Sequence, residues 1–200
     1  PYDLSLSRRL LKEVRQIISF PILFFLYIFV IFGQLGAVDF NNTQVSSQIY
    51  QESLNWNEVQ DRNGILYAPN AEQPHSGYLK KVYSNGQVKM LVRLSIGLVD
   101  QASTWKENGI PVYSVEVIPG SLNFNTIPDS SDELDGSKFH GITRFWFITG
   151  QIMLEARYSY GKRNGFSRSW YENGNLKVEE NYKDGLKDGN AHSWFENGKK

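Results

Sequence analysis

The chain has 200 residues, with 21 basic and 21 acidic side chains and no cysteine. The lack of any thiol excludes a disulfide framework, thiol catalysis, cysteine-ligated metal and a lipid anchor on cysteine. Residues 17–200 carry 17 basic and 19 acidic residues, a balance that excludes an electrostatic footprint for nucleic acid.

Residues 1–16 form a basic flank, with Arg8, Arg9, Lys12 and Arg15 against Asp3 and Glu13. From Ile17 to Phe32 the chain is apolar but for Ser19 and Pro21, and the run extends to Val38, close to the ~20 residues that cross a bilayer as a helix. Positive charge ahead of such a run predicts that the amino end stays in the cytoplasm and that the rest is exported. The expectation is a transmembrane anchor or signal peptide over 17–38, with the membrane as a partner through this segment. The remainder is then membrane-anchored outside the cytoplasm or, if cleaved near Ala37, secreted or periplasmic. Leu35-Gly36-Ala37 ends in a small residue but has leucine where a signal peptidase prefers a small one. Ser7-Arg8-Arg9-Leu10-Leu11-Lys12 has the outline of a twin-arginine signal, although an ordinary basic flank suits the strongly apolar run behind it. Residues 39–57, rich in Asn, Gln and Ser, read as a spacer.

Residues 58–200 repeat. Gly165-Phe166-Ser167-Arg168-Ser169-Trp170-Tyr171-Glu172-Asn173-Gly174 returns as Gly189-Asn190-Ala191-His192-Ser193-Trp194-Phe195-Glu196-Asn197-Gly198, 24 residues later. The turn glycines Gly86, Gly109, Gly150, Gly174 and Gly198 keep this register, and Trp105, Trp146, Trp170 and Trp194 stand four residues before the last four of them. Each unit reads as strand, Asn-Gly turn, strand, because Phe166, Arg168 and Trp170 alternate with Ser167, Ser169 and Tyr171. Between Gly109 and Gly150 the gap is 41 residues, and the surplus falls in 121–138, a loop inserted between two repeats. The predicted fold is all-β, an antiparallel meander of about 24-residue hairpin units behind an N-terminal hydrophobic helix.

The segment from Trp170 through Glu172-Asn173-Gly174 to Asp188-Gly189 resembles the bacterial MORN-variant repeat of the YwqK-type antitoxin family. The opening of the array, Val59 to Asn70 followed by Gln73-Pro74-His75-Ser76-Gly77, is similar to the module that begins many such proteins. The resemblance covers residues 54–200. It implies a MORN-like fold and a non-enzymatic role in which the chain binds a protein partner, a toxin in the antitoxin case, by masking it; the alternative is a structural scaffold of the bacterial envelope. No cofactor is implied.

Tryptophan at a fixed repeat position is expected to pack between neighbouring units rather than to form a ligand-stacking stripe. Tyr83, Phe147, Tyr171 and Phe195, one position further on, alternate to the other face; with Glu172 and Glu196 of the turns they are the candidate partner-binding residues. Asp129, Asp132, Glu133 and Asp135 crowd four carboxylates into the inserted loop, but without the spacing of an EF-hand. His75, His140 and His192 are scattered and have no metal-ligand spacing. A hydrolytic site built from the acidic loop and His140 is the weakest reading, since nothing in the spacing supplies a paired acid and base. Asn41-Asn42-Thr43 matches a glycosylation sequon, which matters only in a eukaryotic secretory pathway.

Overall fold

The computed structural model describes residues 43–200. It is a mostly β structure with one α-helix among the described residues. That helix, α1 (Thr43–Glu52), lies within the stretch read as a spacer. Its carboxyl end is met by Lys80, whose ammonium donates to the Tyr50 carbonyl at 2.7 Å and lies 4.1 Å from the Tyr50 ring. A cation on the last carbonyls suits the negative end of a helix, and α1 belongs to the same compact unit as the strands.

After α1 come β1 (Leu54–Asn55), the hairpin β2 (Gln60–Arg62) and β3 (Ile65–Tyr67), then β4 (Gly77–Val82), β5 (Val88–Ser95), β6 (Leu98–Trp105) and β7 (Pro111–Val117). The chain continues with β8 (Phe139–Trp146), β9 (Ile152–Ser159), β10 (Lys162–Trp170), β11 (Leu176–Lys183), β12 (Leu186–Lys187) and β13 (His192–Ser193). From β4 to β12 each strand pairs antiparallel with the next; β1 joins β4 in parallel, and β13 returns to β11.

Two kinds of turn alternate along this sheet. At one edge sit two-residue turns in which both residues have positive φ, as at Ile96-Gly97, Tyr160-Gly161 and Asp184-Gly185, the geometry that matches strand twist. At the other, five three-residue loops recur with the same pair of backbone bonds; in one, Tyr171 N donates to Asn175 O and Gly174 N to Tyr171 O. Gly161 shows why the position is restricted: its φ is +78°, and a Cβ there would lie 2.4 Å from the Ser137 carbonyl oxygen.

Cross-strand register places Leu79, Val92, Ala102, Val115, Thr143, Ala156 and Ser167 in one row, all buried. This is the core face. Over β4–β8 it is covered by Leu66 from β3 and by Leu122, Phe124, Ile127 and Leu134 from the segment between β7 and β8, which holds three short 3-10 turns. Trp56 stacks on Phe124 with ring centroids 3.9 Å apart. Tyr113 donates its hydroxyl to the Pro128 carbonyl, and Lys89 pairs with Asp129 at 2.6 Å. The inserted segment is thus a fitted cover for the front of the sheet.

The expectation of a membrane partner, and with it of a membrane-anchored or exported location, is corrected: among the described residues no helix is long and apolar enough to cross a membrane. The one helix, α1, has 10 residues, half of what a span needs. The apolar run 17–38 and its basic flank 1–16 lie outside the described residues, and the membrane placement is withdrawn.

Candidate functional site

The core row passes through Ser167, so the buried side of the sheet is the side of Ser167 and Ser169. The repeat tryptophans Trp105, Trp146, Trp170 and Trp194 are half-buried, outside the core cluster. The physical reason is register. A shift falls at Thr104/Trp105, Phe145/Trp146 and Ser169/Trp170, so each of these rings sits at the strand rim beside a tight loop.

The candidate partner-binding residues divide into three kinds. Tyr83 and Tyr171 are occupied in stitching one unit to the next: the Tyr83 hydroxyl donates to the Trp105 carbonyl and the Tyr171 hydroxyl to the Trp194 carbonyl, both at 2.9 Å. Phe147 has no hydroxyl and is half-buried. Phe195 is 69% exposed, and Glu172 and Glu196 are exposed in their turns. Backbone of the same turns is held by asparagines, since Asn173 and Asn175 both donate to the Glu196 carbonyl, at 2.9 and 2.8 Å. The turn glycines pack in file: a Cβ at Gly174 would touch the Gln151 side chain at 3.4 Å, and one at Gly198 would touch Asn175 at 3.6 Å.

On the opposite face a second row runs Lys80, Leu91, Ser103, Ser114, Arg144, Glu155, Arg168, Glu179 and His192. Ser103 donates to Ser114 at 2.8 Å. Arg144 pairs with Glu155 and Arg168 with Glu179, each at 2.8 Å. The two pairs are related by the repeat, since Arg144 and Arg168, like Glu155 and Glu179, stand 24 residues apart. Pairing itself was invisible in one dimension, since it depends on which strands are neighbours.

Three further polar groups were not singled out by sequence. Arg163 reaches the hydroxyl of Tyr182 at 3.1 Å, Tyr182 donates to Glu180 at 2.6 Å, and Lys187 donates to the same carboxylate. The Lys187 bond first, and the Tyr182 bond second, hold the Glu180 carboxyl below the usual range. Arg93 pairs with Asp100 at 2.7 Å. Gln101, opposite Arg93 and Glu116, is 1% exposed with neither amide atom hydrogen-bonded.

The acidic insertion does not assemble with His140. Asp129 is held by Lys89, Asp135 caps Ser137 N at 3.0 Å, and His140 accepts from Tyr160 N at 3.3 Å. His75, partly buried, is held below its usual pKa by desolvation. Among the described residues no group of three or more His, Cys, Asp or Glu is placed to hold a metal ion.

The arrangement differs between the two ends of the sheet. At β4–β8 the core face is covered. Over β9–β13 only Ala156 and Ser167 are buried, and Leu186 and Phe195 stand largely exposed. Comparison with known proteins adds no assignment: no family model matches the chain, and no curated protein matches it.

Proposed function

We propose that this protein is a non-enzymatic binding module whose β9–β13 end receives a protein partner. The observation that carries the reading is the uneven cover: the face that the chain's own inserted segment occupies over β4–β8 has only Ala156 and Ser167 buried over β9–β13, and at the same end of the sheet Leu186, across from Lys183 on the opposite face, and Phe195 in its loop are largely exposed. Exposed apolar side chains within a polar, aromatic surround are what partner surfaces offer. We propose further that the hairpin units are MORN-variant repeats. The recurrence of the tight loop at Tyr83, Lys106, Phe147, Tyr171 and Phe195 supports this, as does the motif resemblance to the YwqK-type antitoxin family. On that resemblance the partner is a toxin, neutralised by being covered.

The test is capture of a partner from the native source by the full chain, followed by affinity measurement with the purified partner and a Leu186→Ala, Phe195→Ala double variant. Both side chains are exposed, so the variant should keep the thermal midpoint of the parent while its affinity falls by about tenfold or more. Equal affinity of parent and variant, or failure to capture any protein, sinks the reading.

A further inference from the structure

Beside the row of paired Arg and Glu, one step nearer the three-residue loops, a second row crosses the same face of the sheet. Alternation puts Trp146 on the side of Arg144, Trp170 on the side of Arg168 and Trp194 on the side of His192, with Phe145, Ser169 and Ser193 between them on the core side. Register sets Ile152 opposite Trp146 and Leu176 opposite Trp170, and the Trp194 amide donates to the Lys177 carbonyl at 3.0 Å. Rings and aliphatic side chains therefore alternate, strand by strand, from β8 to β13. All five are half-buried, and none belongs to the core cluster. The inserted segment covers the other face, and α1 meets β4 at the far end of the sheet. The exposed Lys200 places its ammonium 5.6 Å from the centre of the Trp194 ring, so that ring is reached from outside.

Tryptophan thus recurs on every second strand. Neighbouring strands lie about 4.8 Å apart, which sets successive rings about 10 Å apart along the row. That is the length of two β-1,4-linked pyranose units, and in such a chain every second sugar presents the same face. A chain laid across the strands would set the C–H face of alternate sugars on the three rings. The polar row lies two residues further along each strand, about 7 Å away, within reach of the hydroxyls on the rim of the same sugars. There Arg144 is paired with Glu155 and Arg168 with Glu179, so the charges cancel and the row favours an uncharged ligand. A guanidinium donates and a carboxylate accepts, which is what neighbouring hydroxyls require. An apolar helix or a second apolar sheet would bury these pairs and return no hydrogen bonds. Strand twist turns each ring by roughly 40–50° from the last; a single chain follows this through its linkages, whereas a flat crystal face does not.

We infer that this face binds a neutral β-1,4-linked glycan chain, lying across β8–β13 with its sugars stacked on Trp146, Trp170 and Trp194. The inference goes beyond the protein-partner reading and does not depend on it.

Calorimetric titration of the full chain with cellohexaose, chitohexaose and maltohexaose tests it. At least one of the two β-linked hexaoses should bind at least about tenfold more tightly than its own trisaccharide, because only the longer chain spans three rings. It should also bind at least about tenfold more tightly than the α-linked maltohexaose, whose curved chain does not keep the period. Tryptophan fluorescence should change in step with binding. Trp170→Ala should weaken the complex by at least about tenfold and Arg168→Gln by about threefold; if the alanine variant does not fold, Trp170→Phe, which keeps a smaller ring, takes its place with an intermediate loss expected. No binding of either β-linked hexaose at about 1 mM, equal affinity for the α-linked chain, or folded variants that bind like the parent overturns the inference. So does sedimentation that finds a dimer dissociated by Trp170→Ala, since a second copy would then occupy the row.

Discussion

Ile96 has φ of 51° in a two-residue turn, and its side chain is 70% exposed. A β-branched residue in the left-handed region is strained by roughly 1–2 kcal/mol, and here little burial offsets it. Ile96→Gly is therefore expected to raise stability by about 1 kcal/mol, measured as a shift in the urea midpoint. His75 and Glu180 are two of the groups that shape the acid side of the stability curve. Burial lowers the His75 pKa below 6.5, so the unfolded chain takes its proton first. That contribution is whole above pH 6.5 and is lost as pH falls toward the folded value. Glu180 is lowered below 4.5 by Lys187 and Tyr182, so its contribution is present above pH 4.5 and disappears as pH falls through the folded value. Urea midpoints across pH should show Glu180→Gln flattening only the lower limb and His75→Gln only the upper one; superposable curves would refute the assignment.

At the scale of elements, the inserted segment behaves as part of the core. Trp56 and Phe124 stack across two pieces of chain that lie far apart in sequence, above β4–β8. Trp56→Ala should cost about 2–3 kcal/mol, below the full core value because the ring is half-buried. The double variant with Phe124→Ala should cost about 0.5–1 kcal/mol less than the sum of the singles, since either truncation already removes the stack. Additive losses in a denaturant cycle would mean that the rings act independently. The helix α1 makes a similar point. Its composition suggested a spacer, and one carbonyl of its last turn is met by Lys80, a residue of β4 that no local pattern connects to Tyr50.

Across the whole molecule, burial declines from β4–β8 toward β11–β13, where strands of two residues pair with β11. Local opening costs least where few apolar contacts hold the backbone. Native-state hydrogen exchange should accordingly find the amides of β5–β7 protected at least about tenfold more than those of β11; uniform protection would show the sheet to open as one unit. The same gradient leaves an end of the sheet free to engage other molecules, which is the premise of the proposed function.

Strand and turn positions were legible in sequence because both are local. Alternation needs only successive side chains, and glycine at Gly86, Gly109, Gly150, Gly174 and Gly198 needs only a positive φ. The period marks a surplus in residues 121–138, and the folded chain makes three short 3-10 turns there. Alternation, however, presents two faces without saying which is buried. Only the folded chain decided that, when residues 122–134 and Leu66 settled over the Ser167 side and left the tryptophans at the rim. Tertiary structure likewise turned Tyr83 and Tyr171 from surface candidates into ties between units, because a hydroxyl finds its acceptor through strand neighbourhood, which lies in three dimensions and not in the spacing of residues.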